Sequence, residues 1–255
     1  MSTFVFLFYS LVFCSEIRIA SLDPASSQLL IALNLHNLVV TADDLSHSLP
    51  QLKDVATSSK GLVVDYEKLL QMRVSHVVAY DLGFTSLEPK LHQLEIDLIL
   101  LKNQKVTDLV MNLESLNTRF QAKSNLYIQS IKEQIAALPK VQKNTSYVLQ
   151  IDYSPNYVAG NNNYLDDGLK YCGLKNTVKT KGYPVWGKEE ILKSQVDYVF
   201  IMSDVIKKHG KKTVTNYWLE LVPGAKIKTI DADEFSRLTP SFLHSLQKLC
   251  DSLKP

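Results

Sequence analysis

Glu67-Lys68-Leu69-Leu70-Gln71-Met72-Arg73-Val74-Ser75-His76-Val77-Val78 aligns without a gap to Glu189-Glu190-Ile191-Leu192-Lys193-Ser194-Gln195-Val196-Asp197-Tyr198-Val199-Phe200. Each copy is an acid, a second charged residue, two aliphatics, a polar stretch and an apolar run. That order predicts a short helix running into a buried strand. Two more landmarks recur in the same sequence. Ala32-Leu33-Asn34-Leu35-His36-Asn37-Leu38-Val39 matches Tyr171-Cys172-Gly173-Leu174-Lys175-Asn176-Thr177-Val178, a helix end, a turn and a new strand, with Asn34 and Gly173 where a left-handed cap belongs. Upstream of each lies a strand that ends at a proline, Arg18 to Pro24 and Tyr147 to Pro155. Three landmarks in register predict an α/β protein of two similar lobes with parallel sheets. Two lobes enclose a cleft, which is where a ligand would sit.

The segment between the copies has a different pattern. Val106, Leu109, Leu113, Leu116, Phe120, Tyr127, Ile131, Ile135 and Leu138 keep a spacing of three to four, with no Gly or Pro from Asn103 until Pro139. This predicts one bridging helix of roughly 50 Å across the segment 103–143; the alternative is two helices with a break near Asn125. The organisation expected is a leader over 1–15, a first lobe over 16–102, the bridge over 103–143 and a second lobe over 144–255. Val77 to Tyr80, Ile96 to Leu100, Tyr198 to Met202 and Ala225 to Ile230 read as further strands, and Pro240 to Leu253 as an amphipathic helix.

The 255 residues carry 45% hydrophobic and 21% charged side chains and a net charge of +2. That balance is ordinary for a globular chain and offers no bulk field for nucleic acid. Lys207-Lys208-His209-Gly210-Lys211-Lys212 is a local exception, read as a solvated helix end and turn. Phe4 to Cys14 is apolar, of export-signal length and too short to span a bilayer. It lacks the usual preceding Lys or Arg. Cleavage near Cys14-Ser15-Glu16 and acylation of Cys14 within Leu11-Val12-Phe13-Cys14 both remain open, as does a buried first strand. Loss or acylation of Cys14 leaves Cys172 and Cys250, an even number in an exported chain, and they are expected to pair.

The usual catalytic signatures are absent. There is no G-x-G-x-x-G, G-x-S-x-G or H-E-x-x-H, and the order around Gly210-Lys211-Lys212-Thr213 does not make a phosphate-cradling loop. The histidines are scattered. His47 follows the strand Leu38-Val39-Val40 and could face a cleft, but with only Asp43 and Asp44 nearby it makes no metal site. An enzyme or a metal-cluster protein on a two-lobed α/β fold is therefore the weaker reading. Aromatics do gather at loops that follow strands: Tyr80, Tyr153, Tyr157, Tyr183 and Trp186. Ligands of open parallel sheets bind beyond the carboxyl ends of the strands, and aromatic faces there suit a flat or bulky organic ligand. Packing within the loops is the alternative.

These residues resemble a known family, the exported substrate-binding proteins of ABC importers for cobalamin, iron-siderophores and haem, and the vitamin B12-binding group in particular. The likeness runs from Arg18 to Leu253. It is carried by Arg18-Ile19-Ala20-Ser21-Leu22-Asp23-Pro24, by Gln150 to Gly160, by Tyr171-Cys172-Gly173-Leu174-Lys175-Asn176 and by Leu249-Cys250-Asp251, with Arg237 and Pro240 fitting a late loop-to-helix motif. The resemblance implies two lobes bridged by one long helix, a Cys172–Cys250 disulfide and no enzymatic activity or resident cofactor. It implies a monomer in the periplasm that serves a permease and its ATPase in the inner membrane. It also implies that Glu67 and Glu189, one on each lobe, dock onto basic residues of the permease. Tyr80 and Tyr183 stand where the vitamin B12 binders carry cleft tryptophans, and Tyr157 where they carry phenylalanine. A first-lobe tryptophan has no counterpart in Thr57-Ser58-Ser59-Lys60-Gly61. Tyrosines also ligate ferric iron, so cobalamin leads, with a ferric siderophore or haem as the alternative ligand.

Overall fold

The computed structural model describes residues 16–81, 83–139 and 145–253. The expected leader with Cys14, and the end of the expected bridge at 140–143, lie outside the described residues. In the first lobe, β1 (Ile19–Ser21), α1 (Pro24–Ala32), β2 (Val39–Asp43), β3 (Ala56–Lys60), β4 (Val63–Val64), α2 (Tyr66–Gln71), β5 (His76–Tyr80), α3 (Glu88–Gln93) and β6 (Asp97–Leu101) follow one another. They build a six-stranded sheet in the order β4-β3-β2-β1-β5-β6, parallel except for β4. After α4 (Asp108–Phe120) and α5 (Asn125–Ala137), the second lobe contains β7 (Thr145–Gln150), α6 (Tyr164–Tyr171), β8 (Leu174–Asn176), α7 (Lys188–Lys193), β9 (Tyr198–Met202), α8 (Ser203–His209), α9 (Lys211–Leu221), β10 (Lys226–Ile230), α10 (Ala232–Phe235) and α11 (Pro240–Ser252). Its four parallel strands run β10-β9-β7-β8.

The two sheets share one plan. Reversed, the second lobe reads β8-β7-β9-β10, which matches β2-β1-β5-β6 strand for strand. The repeated motif is α2 into β5 in one lobe and α7 into β9 in the other. Asn34 at φ 60° and Gly173 at φ 75° sit at the equivalent left-handed caps. The hairpin of β3 and β4 is what the first lobe adds.

Strand alternation explains the layers. On β5, Val77 and Ala79 face a cluster with Leu69 and Leu91 from α2 and α3, while Val78 and Tyr80 join the main core with Leu29, Leu109 and Leu113 from α1 and α4. That main core is continuous into the second lobe through Val158, Leu238 and Phe242. Cys172, which caps α6, and Cys250 on α11 are joined by a disulfide, with S–S 2.01 Å across 78 residues of chain. Among the described residues no helix is long and apolar enough to cross a membrane.

The single bridging helix needs correction. The apolar period is real, but the segment forms two helices of 13 residues each. Gln121 at φ 51° and Lys123 at φ 56° are left-handed, which no α-helix continues through. Asn117 makes that break stable. Its carbonyl oxygen accepts from Ala122 N–H at 3.1 Å, its Oδ1 accepts from Ser124 N–H at 2.8 Å, and its Nδ2 donates to Asn125 Oδ1 at 2.9 Å. The chain folds back so that Lys132 pairs with Glu114 at 2.7 Å. Helix α4 is fastened to the first lobe, where Asn112 bonds both backbone groups of Lys102 and Arg119 pairs with Asp97; α5 leans on α11 of the second.

Candidate functional site

The carboxyl ends of both sheets face one cleft. In the first lobe the end of β5 is held by Asp23, the N-cap of α1. Its Oδ1 accepts from Ser26 N–H and its Oδ2 from Tyr80 N–H, each at 2.8 Å. Burial pushes this carboxyl above its ordinary value, against the pull of those donors. Beyond the ends of β5 and β6 lies a cavity of about 430 Å³ lined by Asp81, Lys102, Lys105, Asp108 and Met111.

In the second lobe a cavity of about 270 Å³ is lined by Ile151, Tyr164, Tyr183, Met202, Asp204 and Ser236, at the ends of β7, β9 and β10. Tyr164 donates to Phe235 O at 3.2 Å. Burial holds its phenol well above the ordinary range, with Tyr183 and Tyr80 near enough to add to the shift and Arg237 near enough to oppose it. Arg237, Tyr80 and Tyr183 therefore all lie near Tyr164. Among the described residues Arg237 has no acidic partner within ion-pair distance.

Three hydrogen bonds close the floor of the cleft between the lobes. Tyr80 Oη donates to Leu238 O at 2.5 Å, Val106 N–H to Asp167 Oδ2 at 2.8 Å and Tyr164 N–H to Asn103 O at 3.3 Å.

The outer wall of the second lobe is tied from within. Gln150, fully buried, accepts at Oε1 a hydrogen bond from Trp218 Nε1 at 3.0 Å and donates from Nε2 to Asn156 Oδ1 at 2.8 Å; Asn156 in turn donates to Trp186 O at 3.0 Å. Gly160 N–H donates to Gly182 O at 2.7 Å, and a Cβ at position 160 would lie 2.0 Å from Thr180 O, so only glycine permits this approach. The scaffold carries Tyr157, bridged to Val185, and Tyr183, which lines the cavity; they are 38% and 45% exposed.

The structure distributes the expected ligand residues unevenly. Tyr183 lines the second-lobe cavity and Arg237 lies close to the buried Tyr164, whereas Tyr157, 38% exposed, lines neither cleft cavity. Tyr80 lies at the cleft floor with only 2% of its surface exposed and its hydroxyl engaged, so it is a contact between lobes and not an open face. Tyr153 packs edge-on against Tyr217 at 5.4 Å and beside His209 at 5.1 Å. Trp186 is half-buried against the core. His47 is committed inside its lobe: Nδ1 donates to Lys53 O at 3.2 Å, which leaves Nε2 to accept from Thr57 Oγ1 at 2.9 Å. Among the described residues no three His, Cys, Asp or Glu side chains converge as a metal site. Sequence reasoning missed Tyr164, Asp204, Asp81, Lys102 and Lys105. Asp81 and Lys102 directly follow strand ends, so the rule that found the tyrosines, extended to charged residues, would have found them. Glu67 and Glu189 are exposed in the first turns of α2 and α7, one on each lobe.

No family model matches the sequence. The chain is similar to the vitamin B12-binding protein of Vibrio vulnificus, 20% identical over 249 residues that cover 92% of this chain and 89% of that one. Among solved structures it superposes on the periplasmic vitamin B12-binding protein BtuF of Vibrio cholerae with a TM-score of 0.80 at 19% identity, covering 92% of this chain and 95% of that one. The periplasmic haem-binding protein HutB of Vibrio cholerae gives 0.78 at 21% identity, covering 94% and 100%. The fold is that of the two-lobed periplasmic binding proteins.

Proposed function

We propose that this chain is an exported, non-catalytic binding protein that holds cobalamin or a related corrinoid between its lobes. It delivers that cargo to the permease and ATPase of an ABC importer in the inner membrane. The observation that carries the reading is the cleft wall, where the cavity-lining Tyr183 and an Arg237 that has no acidic partner among the described residues both lie close to Tyr164. Such a wall suits a large, flat organic ligand bearing carbonyl acceptors, with the aromatic faces giving area and the guanidinium giving orientation. Similarity over nearly the whole chain to vitamin B12-binding proteins supports the same ligand. In this reading the corrinoid is cargo and not a resident cofactor.

The likeness to a haem-binding protein supports a second reading, with haem or a ferric siderophore as cargo. Cobalamin comes first because the vitamin B12-binding relatives match over nearly the whole chain.

In this reading the protein works as a periplasmic monomer. Phe4 to Cys14 is its export signal, with Cys14 removed or acylated, and Glu67 and Glu189 are its docking acids. Titration with cobalamin should quench the tryptophan fluorescence at micromolar concentration. Tyr183→Ala with Arg237→Ala should weaken that binding by about tenfold or more. Unchanged affinity in the double variant would remove the cleft wall as the site.

A further inference from the structure

The two halves of the cleft differ in chemistry. The second-lobe cavity is mostly apolar, with Ile151, Tyr164, Leu165, Tyr183 and Met202 in its lining, whereas Asp81, Lys102, Gln104, Lys105 and Asp108 line the first-lobe cavity. A hydrogen bond from Tyr164 N–H to Asn103 O, 3.3 Å long, joins a residue of one lining to a residue of the other. The loop that carries the two lysines is pinned through its backbone. Asn112 bonds the N–H and the carbonyl of Lys102 at 2.9 and 2.7 Å, Asp108 Oδ2 accepts from Gln104 N–H and Lys105 N–H at 2.8 and 2.9 Å, and Asp167 Oδ2 accepts from Val106 N–H at 2.8 Å. Lys102 and Lys105 themselves stay exposed, and no acidic side chain among the described residues lies within ion-pair distance of either. The two carboxylates in the same lining are engaged elsewhere: Asp108 is buried beneath its two N–H donors, and Asp81 Oδ1 accepts from Thr85 Oγ1 at 2.8 Å. A fixed backbone that holds two unpaired ammoniums at a cavity suits an anionic group of the ligand.

We propose that Lys102 and Lys105 hold the phosphodiester of a nucleotide-bearing corrinoid, which makes the first lobe the wall that selects among corrinoids. The proposal rests on the corrinoid reading of the cleft and adds which corrinoids it prefers. The periphery of cobalamin carries neutral amides and a single phosphodiester, which keeps its negative charge at any physiological pH. Two ammoniums therefore find one anionic partner on that ligand. The apolar lining around Tyr183 takes the ring, and the nucleotide loop lies over the first lobe. Arg237, near Tyr164, is left for the amide carbonyls.

Calorimetry with two ligands tests this. Cyanocobalamin carries the nucleotide loop; dicyanocobinamide keeps the corrin ring and its amides but lacks the loop and its phosphate. Each is titrated at low and high salt into wild type and into Lys102→Gln with Lys105→Gln. The loop's bonds use the backbone of both residues, so the double variant should keep its fold, which circular dichroism checks. It should bind cyanocobalamin about tenfold more weakly than wild type and lose most of the salt dependence. Its affinity for dicyanocobinamide should match wild type. An equal loss for both corrinoids would put the lysines on the ring amides and overturn the proposal. Unchanged binding of cyanocobalamin would overturn it too, and either result leaves the corrinoid reading standing. If neither corrinoid binds wild type, that reading falls and the lysine assignment falls with it.

Discussion

At the scale of single residues, buried polar groups set the cleft floor. Tyr80→Phe keeps the ring but leaves the Leu238 carbonyl buried without its donor. An orphaned buried acceptor costs about 1–3 kcal/mol. Urea unfolding should register that loss, and an unchanged midpoint would mean that the contact between lobes contributes nothing. Asp23 supplies a pH test. Its folded value is raised, so its favourable contribution is fully present below the unfolded value of 3.8 and is lost as pH rises through the folded value. Asp23→Asn loses an acceptor for Tyr80 N–H at a helix cap and should cost about 1–2 kcal/mol. Because only the wild type loses stability with rising pH through this group, the gap between the two should narrow from pH 4 to pH 7. A widening gap would mean that the carboxyl is held charged. Position was legible in the sequence at this scale, but accessibility was not. Tyr80, Tyr157 and Tyr183 all follow strand ends, yet only the opposite lobe's Leu238 decides that Tyr80 is covered.

Among the elements, the break between α4 and α5 shows where pattern reading stops. Hydrophobic spacing continues through it because both halves bury apolar faces in the same core. The reversal depends on left-handed Gln121 and Lys123 and on the Asn117 side chain, and neither glycine nor proline marks it. A sign test separates the two architectures. In one continuous helix Gln121→Gly would cost about 0.5–1 kcal/mol; at φ 51° it should be neutral or stabilising by a similar amount. A thermal melt decides, and clear destabilisation would restore the single helix. The repeated helix-strand unit was readable because both its periods are local: the helix buries one aliphatic per turn and the strand is buried on both faces. The β3–β4 hairpin had no second copy to flag it.

Over the whole molecule, no single helix spans the lobes; hydrogen bonds across the cleft floor and a shared core join them. Ligand binding should then change the radius of gyration in solution scattering by less than about 1 Å; a larger contraction would indicate a hinge. The Cys172–Cys250 bond closes a long loop, and the chain-entropy model allows up to roughly 4.5 kcal/mol for it. Non-reducing peptide mapping should find the two joined, and free thiols at both would count against export as well as the bridge. The central claim, that the cleft takes a corrinoid, is tested most directly by calorimetric titration with cobalamin, haem and a ferric siderophore in parallel. Cobalamin should bind one-to-one with micromolar or tighter affinity and more tightly than the other two. No binding heat with cobalamin, alongside one-to-one binding of haem or the siderophore, would contradict it.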